Sequence, residues 1–306
     1  MSTSKPTVTI SAGGYTARIA LRGGQLLSLT SQDPVTGNAQ NMIVDAEQVP
    51  EAGTYAGAVL APWPNRIVKA SYVYDETRYQ LPVTEEATGA ALHGLLLGTE
   101  MTVQHQRESE VHLAGVLEPT EGYPFRLETV LVYRVAGQLG LTTTLSTRYV
   151  PDEGAEATTA PYGAGFHPYL TAADAPLKSC RLQLPATRVA KTRSSGKVVG
   201  SQSAAGDLNL TVGPLLAGLT IDHAYTRLPA EGWSAELLHG PSGFAVRMIA
   251  DTPWAQVHTG EDLNRAGVAV EPMTCPPNAF NTGKNLIHLE PGVWHRVGYS
   301  LEAFRL

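Results

Sequence analysis

Five polar side chains stand in contexts that could carry chemistry: Arg66, His93, His167, Asp222 and Glu271. Glu271 follows the small apolar run 266–270 and precedes Pro272. A carboxylate at the rim of an apolar environment has a raised pKa and suits general-base work. A salt-bridged glutamate at a strand end is the plainer alternative. Proline cannot donate to a sheet ladder, so the strand is expected to stop at Pro272. His167 sits between Phe166 and Pro168, just after Gly163-Ala164-Gly165. Glycines permit close backbone approach, and an imidazole there can serve as an acid or a hydrogen-bond donor. A buried histidine bonded to a carbonyl would look the same. His93, between Leu92 and Gly94, reads as a turn histidine unless it meets a ligand. The Arg66 fork suits a carboxylate or sugar hydroxyls, and equally a loop-anchoring ion pair. Asp222 precedes His223-Ala224-Tyr225 and is either a ligand or a turn or cap residue.

Familiar nucleophile and cofactor patterns are missing. There is no Gly-x-Ser-x-Gly elbow, phosphate loop, dinucleotide fingerprint or paired-histidine zinc motif. Glu271 is therefore not expected to belong to a metal or acyl-transfer site.

The elements that must position these residues read as strands. Tyr15, Ala17, Ile19 and Leu21 share one face, Gly23-Gly24 breaks the run, and Leu26, Leu27 and Leu29 resume it. Residues 31–56 read as a loop. Two prolines around Trp63 exclude helix and central strand. Tyr72 and Tyr74, then Tyr79 and Leu81, flank a hairpin turn at 75–77. Val111 and Leu113 alternate with His112. Residues 125–149 alternate over two strands around Ala136-Gly137-Gln138, which predicts a long antiparallel hairpin. Residues 151–160 and 191–213 read as loops, the latter with little regular structure. Pro214 opens a predicted helical turn over 214–219. Strands around Trp233 and Phe244 frame the turn 239–243, and Val297, Tyr299 and Leu301 mark the last strand. No longer segment has helical period, and neither a repeat nor a linker is visible. The pattern predicts an all-β chain, a large antiparallel β-sandwich formed as one domain over 1–306.

Composition bounds the rest. The chain has 306 residues, 43% of them hydrophobic, enough for a sizeable core. Thirty glycines and 21 prolines suit a turn-rich β protein. A net charge of −6 with scattered acids argues against a nucleic-acid partner. Cys180 and Cys275 lie far apart and read as reduced thiols of a cytoplasmic protein. No secretory leader and no membrane-crossing run is apparent, so no membrane partner is expected. Oligomeric state is not readable.

In order along the chain, these residues resemble the aldose 1-epimerase (mutarotase) family. Asn65-Arg66-Ile67, Leu92-His93-Gly94, His167 with Tyr169 two places on, Asp222, Glu271-Pro272 with 277–280, and Leu289-Glu290-Pro291-Gly292 carry the resemblance. It runs from about residue 8 to the last strand. The family implies a β-supersandwich and a cofactor-independent isomerase that interconverts the α and β anomers of a free aldose. Carried over by position, Glu271 is the general base and His167 the general acid. Arg66, His93 and Asp222, with Asn65 beside them, hold sugar hydroxyls. Trp63, Tyr162 or Tyr169 would stack on the apolar face of the sugar.

The sequence departs from the galactose-type pattern at 61–64, at Pro168 and at Met273. Galactose is therefore not assumed, and glucose, galactose, a sulfonated glucose and a hexose 6-phosphate are the open choices. Arg22, Lys69 and Lys284 are candidate cations for an anionic sugar. Two rivals are a non-catalytic carbohydrate-binding protein on the same scaffold and a glycosidase using Asp222 and Glu271 as a carboxylate pair.

Overall fold

Short strands of alternating burial build three larger sheets and three two-stranded ones among the described residues. The computed structural model describes residues 6–49, 54–152, 159–193 and 197–306. An eight-stranded antiparallel sheet runs in spatial order through Thr102–Gln106, Glu110–Leu117, Leu127–Ala136, Gly140–Tyr149, His295–Arg305, Phe244–Ala250, Trp233–His239 and Arg181–Gln183. The long predicted hairpin lies in it, registered from Leu127 opposite Tyr149 to Ala136 opposite Gly140. Its buried and half-exposed residues alternate, as a one-sided sheet requires. The hairpins at 71–80 and 233–250 also form. A four-stranded sheet holds Thr7–Ala12, Tyr15–Ala20, Leu26–Gln32 and Ala39–Asn41.

The second large sheet carries the candidate residues. Its spatial order is Val198–Ser203, Arg188–Thr192, Asp222–Thr226, Trp254–His258, Val268–Met273, Gly165–His167 and Ala58–Leu60. Tyr169–Leu170 also pairs with Val268–Met273. All six residues of Val268–Met273 are buried, because the strand is covered on both faces. Val268 and Val270 enter a hydrophobic core that extends from Val8 to Leu301, while Ala269 and Met273 join two small clusters on the other face.

Four local expectations are corrected. The strand does not stop at Pro272: Ala255 pairs with Pro272 and Trp254 with Met273. The neighbouring chain is itself interrupted at Pro168, between two short strands, so the ladder there is already sparse. Within the expected loop 191–213, Val198–Ser203 is a strand paired with Arg188–Thr192 in a two-stranded ribbon. Most of its side chains are exposed or half-exposed, which left no apolar alternation to read. Residues 214–219 form no helical turn. Leu215 bridges Arg181, and the Leu216 N–H donates to the Cys180 carbonyl, so this backbone bonds sideways to a sheet edge. Within 31–56, Ala39–Asn41 is a strand paired with 30–32. Residues 50–53, 153–158 and 194–196 of the expected loops lie outside the described residues. Among those described, the one α-helix is Ala279–Thr282, and no helix is long and apolar enough to cross a membrane.

Candidate active site

Register brings the acid–base candidates together. Gly165 pairs with Met273 and Tyr169 with Ala269, and both belong to one continuous register. His167 therefore stands opposite Glu271, with its Nε2 3.3 Å from Glu271 Oε1. On the other side Gln256 pairs with Glu271, and Ala224 pairs with Gln256. The row Ala224, Gln256, Glu271, His167 crosses one face of the sheet. Two residues along each strand lies the row Asp222, His258, Ala269, Tyr169, on the same face by the period-2 alternation. Gln256 Nε2 donates to Asp222 Oδ1, which ties the two rows. The Tyr169 ring lies 5.1 Å from the His167 ring.

The glycines before His167 serve the sheet. A Cβ on Gly165 would sit 3.0 Å from the Pro272 carbonyl and 3.2 Å from Pro64 Cβ. The close approach expected there is thus made by a neighbouring strand and loop.

Loops at the sheet end supply the other candidates. Asn65 and His93 both hold left-handed backbone, at φ 55° and 60°. They are bonded reciprocally: the His93 N–H donates to the Asn65 carbonyl, and the Asn65 N–H donates to His93 Nδ1. An accepting Nδ1 places the imidazole proton on Nε2. Asn65 Oδ1 accepts from the Arg66 N–H. The loop after Glu271 pins the same backbone, because the Asn278 N–H donates to the Arg66 carbonyl and Asn278 Oδ1 accepts from the Val68 N–H. Arg66 makes the ion pair that was one of its two readings. Its Nε and Nη2 donate to the two oxygens of Glu85 at 2.7 and 2.6 Å.

Burial dominates the electrostatics. It pushes the Glu271 carboxyl well above the usual carboxylate range; Asp222 adds to this and Arg66 opposes it. It pushes the His167 imidazole down to about 4. His93 is also held well below its ordinary value, first by burial and then by His167 and Arg66. Glu271 is 1% exposed and His167 5%. Burial thus acts against both charges of the pair, and between about 4 and the raised carboxyl value it favours a protonated carboxyl facing a neutral imidazole. Glu271 Oε2, His167 Nδ1 and Gln256 Oε1 are buried and have no hydrogen-bond partner among the described residues. Such atoms are costly unless a ligand meets them.

A cleft of about 310 Å³ opens beside the pair. Its walls include Asn65, Arg66, Thr88, Asp222, Gln256 and Arg193. Glu271, His167 and His93 are not in its wall; they adjoin it through Gln256 and Asn65. Trp63 is not in the cleft either. Its ring is buried against Tyr123 and Phe280, 6.4 and 5.7 Å away between centroids. Tyr162 is likewise buried, bonded to Thr147. Tyr169 alone of the three aromatics adjoins the pair. Of the candidate cations, Lys284 lies over the Trp254 ring, Arg22 pairs through its backbone with Glu100, and Lys69 occupies a turn. None of these lines the cleft, whereas Arg193 does. Sequence reasoning missed Gln256, Glu85 and Arg193. The signal for Gln256 was a lone amide in the strand-like run Trp254-Ala255-Gln256-Val257. No group of three or more histidine, cysteine or acidic side chains able to hold a metal occurs among the described residues.

The sequence profile of the family described as aldose 1-epimerase matches residues 6–302. The uncharacterized protein YihR of Escherichia coli K12 is 36% identical over 304 residues, covering 98% of this chain and 94% of that protein. Among solved structures, a GalM/aldose epimerase homologue from C. elegans superposes with a TM-score of 0.86 at 15% identity, covering 99% of this chain and 100% of that one. A putative aldose 1-epimerase from Escherichia coli K12 gives 0.78 at 21%, covering 98% and 99%. At these identities the structures speak for the fold.

Proposed function

The chain belongs to the aldose 1-epimerase family, and from that premise we propose that it interconverts the α and β anomers of a free hexose by acid–base ring opening. The observation that carries this reading is the buried pair of His167 and Glu271, 3.3 Å apart beside a polar cleft. Opening a cyclic hemiacetal removes the proton from O1–H and delivers one to the ring oxygen. Glu271 as carboxylate accepts the first, and His167 as imidazolium donates the second. The open aldehyde turns about C1–C2 and closes on its other face with the roles reversed. The catalytic form holds the same single exchangeable proton as the form that burial favours, moved from the carboxyl to the imidazole. Arg66 favours that move because its charge stabilises the ionised carboxylate. Each partner contributes roughly 10²–10⁴-fold in rate. Arg66, the Nε2–H of His93, Asn65 and Asp222 hold sugar hydroxyls, and Tyr169 backs the His167 ring.

Polarimetry or exchange NMR on freshly dissolved α-glucose and α-galactose tests the reading. Faster approach to anomeric equilibrium than in buffer is expected. No acceleration across a panel of neutral and anionic hexoses would leave a carbohydrate-binding protein as the better description. Release of aglycone from aryl glycosides would point to a glycosidase.

One observation favours an anionic hexose as a second reading. Arg193 lines the cleft and has no ion-pair partner among the described residues. A 6-sulfonated or 6-phosphorylated hexose would then be turned over at lower KM than glucose, and Arg193→Ala would remove that preference.

A further inference from the structure

Arg66 presents a donor edge to the cleft, and what fixes that edge is a carboxylate outside it. Glu85 receives Nε and Nη2 of Arg66 side-on, which leaves Nη1 free of protein partners among the described residues. The paired side chains are only 24% and 19% exposed. Glu85 is itself held. Thr88 Oγ1 donates to its Oε2. Its N–H donates to the Ala90 carbonyl, and its own carbonyl accepts from the Gly89 N–H. The backbone of Arg66 is anchored independently, by pairing with Leu92 and by the Asn278 N–H. Both ends of the arginine are therefore fixed. Arg66 and Thr88 line the cleft and Glu85 does not, so anything Glu85 does to a bound sugar passes through its neighbours.

We propose that Glu85 is a positioning residue, which orients the Arg66 guanidinium toward the sugar and offsets its charge beside Glu271. This deepens the epimerase reading and rests on it. The bidentate pair gives the guanidinium one plane, which lysine or a singly bonded arginine would lack. The Glu85 charge also limits how far Arg66 can stabilise the Glu271 carboxylate, so the proton shared with His167 remains exchangeable.

The test compares wild type, Glu85→Gln and Glu85→Asp. Glu85→Gln is expected to raise KM about tenfold or more, with a smaller loss in kcat. Its alkaline pH limb is expected at lower pH, because an unbalanced Arg66 favours ionised Glu271. Glu85→Asp, which keeps the charge, is expected to keep the wild-type limb with an intermediate KM. Should Glu85→Gln fail to fold, that KM change in Glu85→Asp carries the test. A lower melting temperature with KM and pH limb unchanged would mark an ordinary structural ion pair and overturn the proposal. Nitrogen-15 NMR of the Arg66 Nε–H provides a readout independent of turnover. Slow exchange in wild type and fast exchange in Glu85→Gln are expected. If wild type turns over no hexose, the epimerase reading falls and this exchange alone decides, with equal rates overturning the role of Glu85.

Discussion

In the proposed reaction, where one proton sits on His167 and Glu271 governs the rate. Burial raises the carboxyl and lowers the imidazole to about 4, so between those two titrations the proton is favoured on Glu271. The tautomer proposed to act, with the proton on His167, has the same proton count and is expected at a constant fraction between the two titrations. A bell-shaped rate profile is therefore expected, with the limbs opposite to a simple reading. The acid limb, near 4, belongs to the imidazole and the alkaline limb to the carboxyl. Glu271→Gln should lose roughly 10²–10⁴-fold in turnover while folding normally, and His167→Asn a similar amount, both measured by exchange NMR. Stability follows from the same shifts. The folded Glu271 binds its proton more tightly than the unfolded chain does, so its contribution is greatest at low pH and is lost as pH rises through the raised value. His167 acts oppositely, gaining stability as pH rises from about 4 toward its ordinary value of 6.5. Above that only the carboxyl term remains. Glu271→Gln is thus expected to melt at a higher temperature than wild type at pH 8, with the gap closing toward pH 5. A gap that does not change with pH would contradict the raised carboxyl.

Strand register does what no local motif can. Positions 167, 256 and 271 are far apart in the chain, yet they adjoin because three antiparallel strands place them in one row. Sequence reasoning identified Glu271 and His167 from their contexts and from the family resemblance, but it placed Glu271 at a strand end. Pairing through Pro272 puts it inside the strand, and this accounts for its full burial. Gln256 escaped notice because one amide in an apolar strand has no motif around it. Trp63 was expected to stack on the sugar as an aromatic just before Asn65-Arg66, whereas its ring fills the core beside Phe280. The loop of His93 depends on Gly94, which holds φ 79°, and a Cβ there would lie 2.1 Å from the Ala61 carbonyl. Gly94→Ala should therefore lower unfolding free energy by at least about 2 kcal/mol, read from the denaturant midpoint. Wild-type stability in that variant would mean the loop can shift without cost.

At the scale of the whole molecule, alternation made the fold legible wherever a strand has one buried face. The 127–149 hairpin and the 233–250 hairpin were read nearly to their ends. The ribbon of Arg188–Thr192 and Val198–Ser203 was not, since its side chains are mostly outside the core. The two large sheets have unequal work. One is antiparallel throughout, four consecutive strands continued by the last strand of the chain and three earlier ones, and the other has its central strand Val268–Met273 covered on both faces. A covered sheet face lets carboxyl and imidazole sit unsolvated next to a cleft open to sugar. The central claim is that this buried pair turns over a hexose. The most direct measurement follows freshly dissolved α-hexose by exchange NMR with wild type and with Glu271→Gln at equal concentration. Acceleration by wild type and a buffer-level rate with Glu271→Gln are expected. Equal rates from the two proteins, or none from wild type on neutral and anionic hexoses alike, would contradict it.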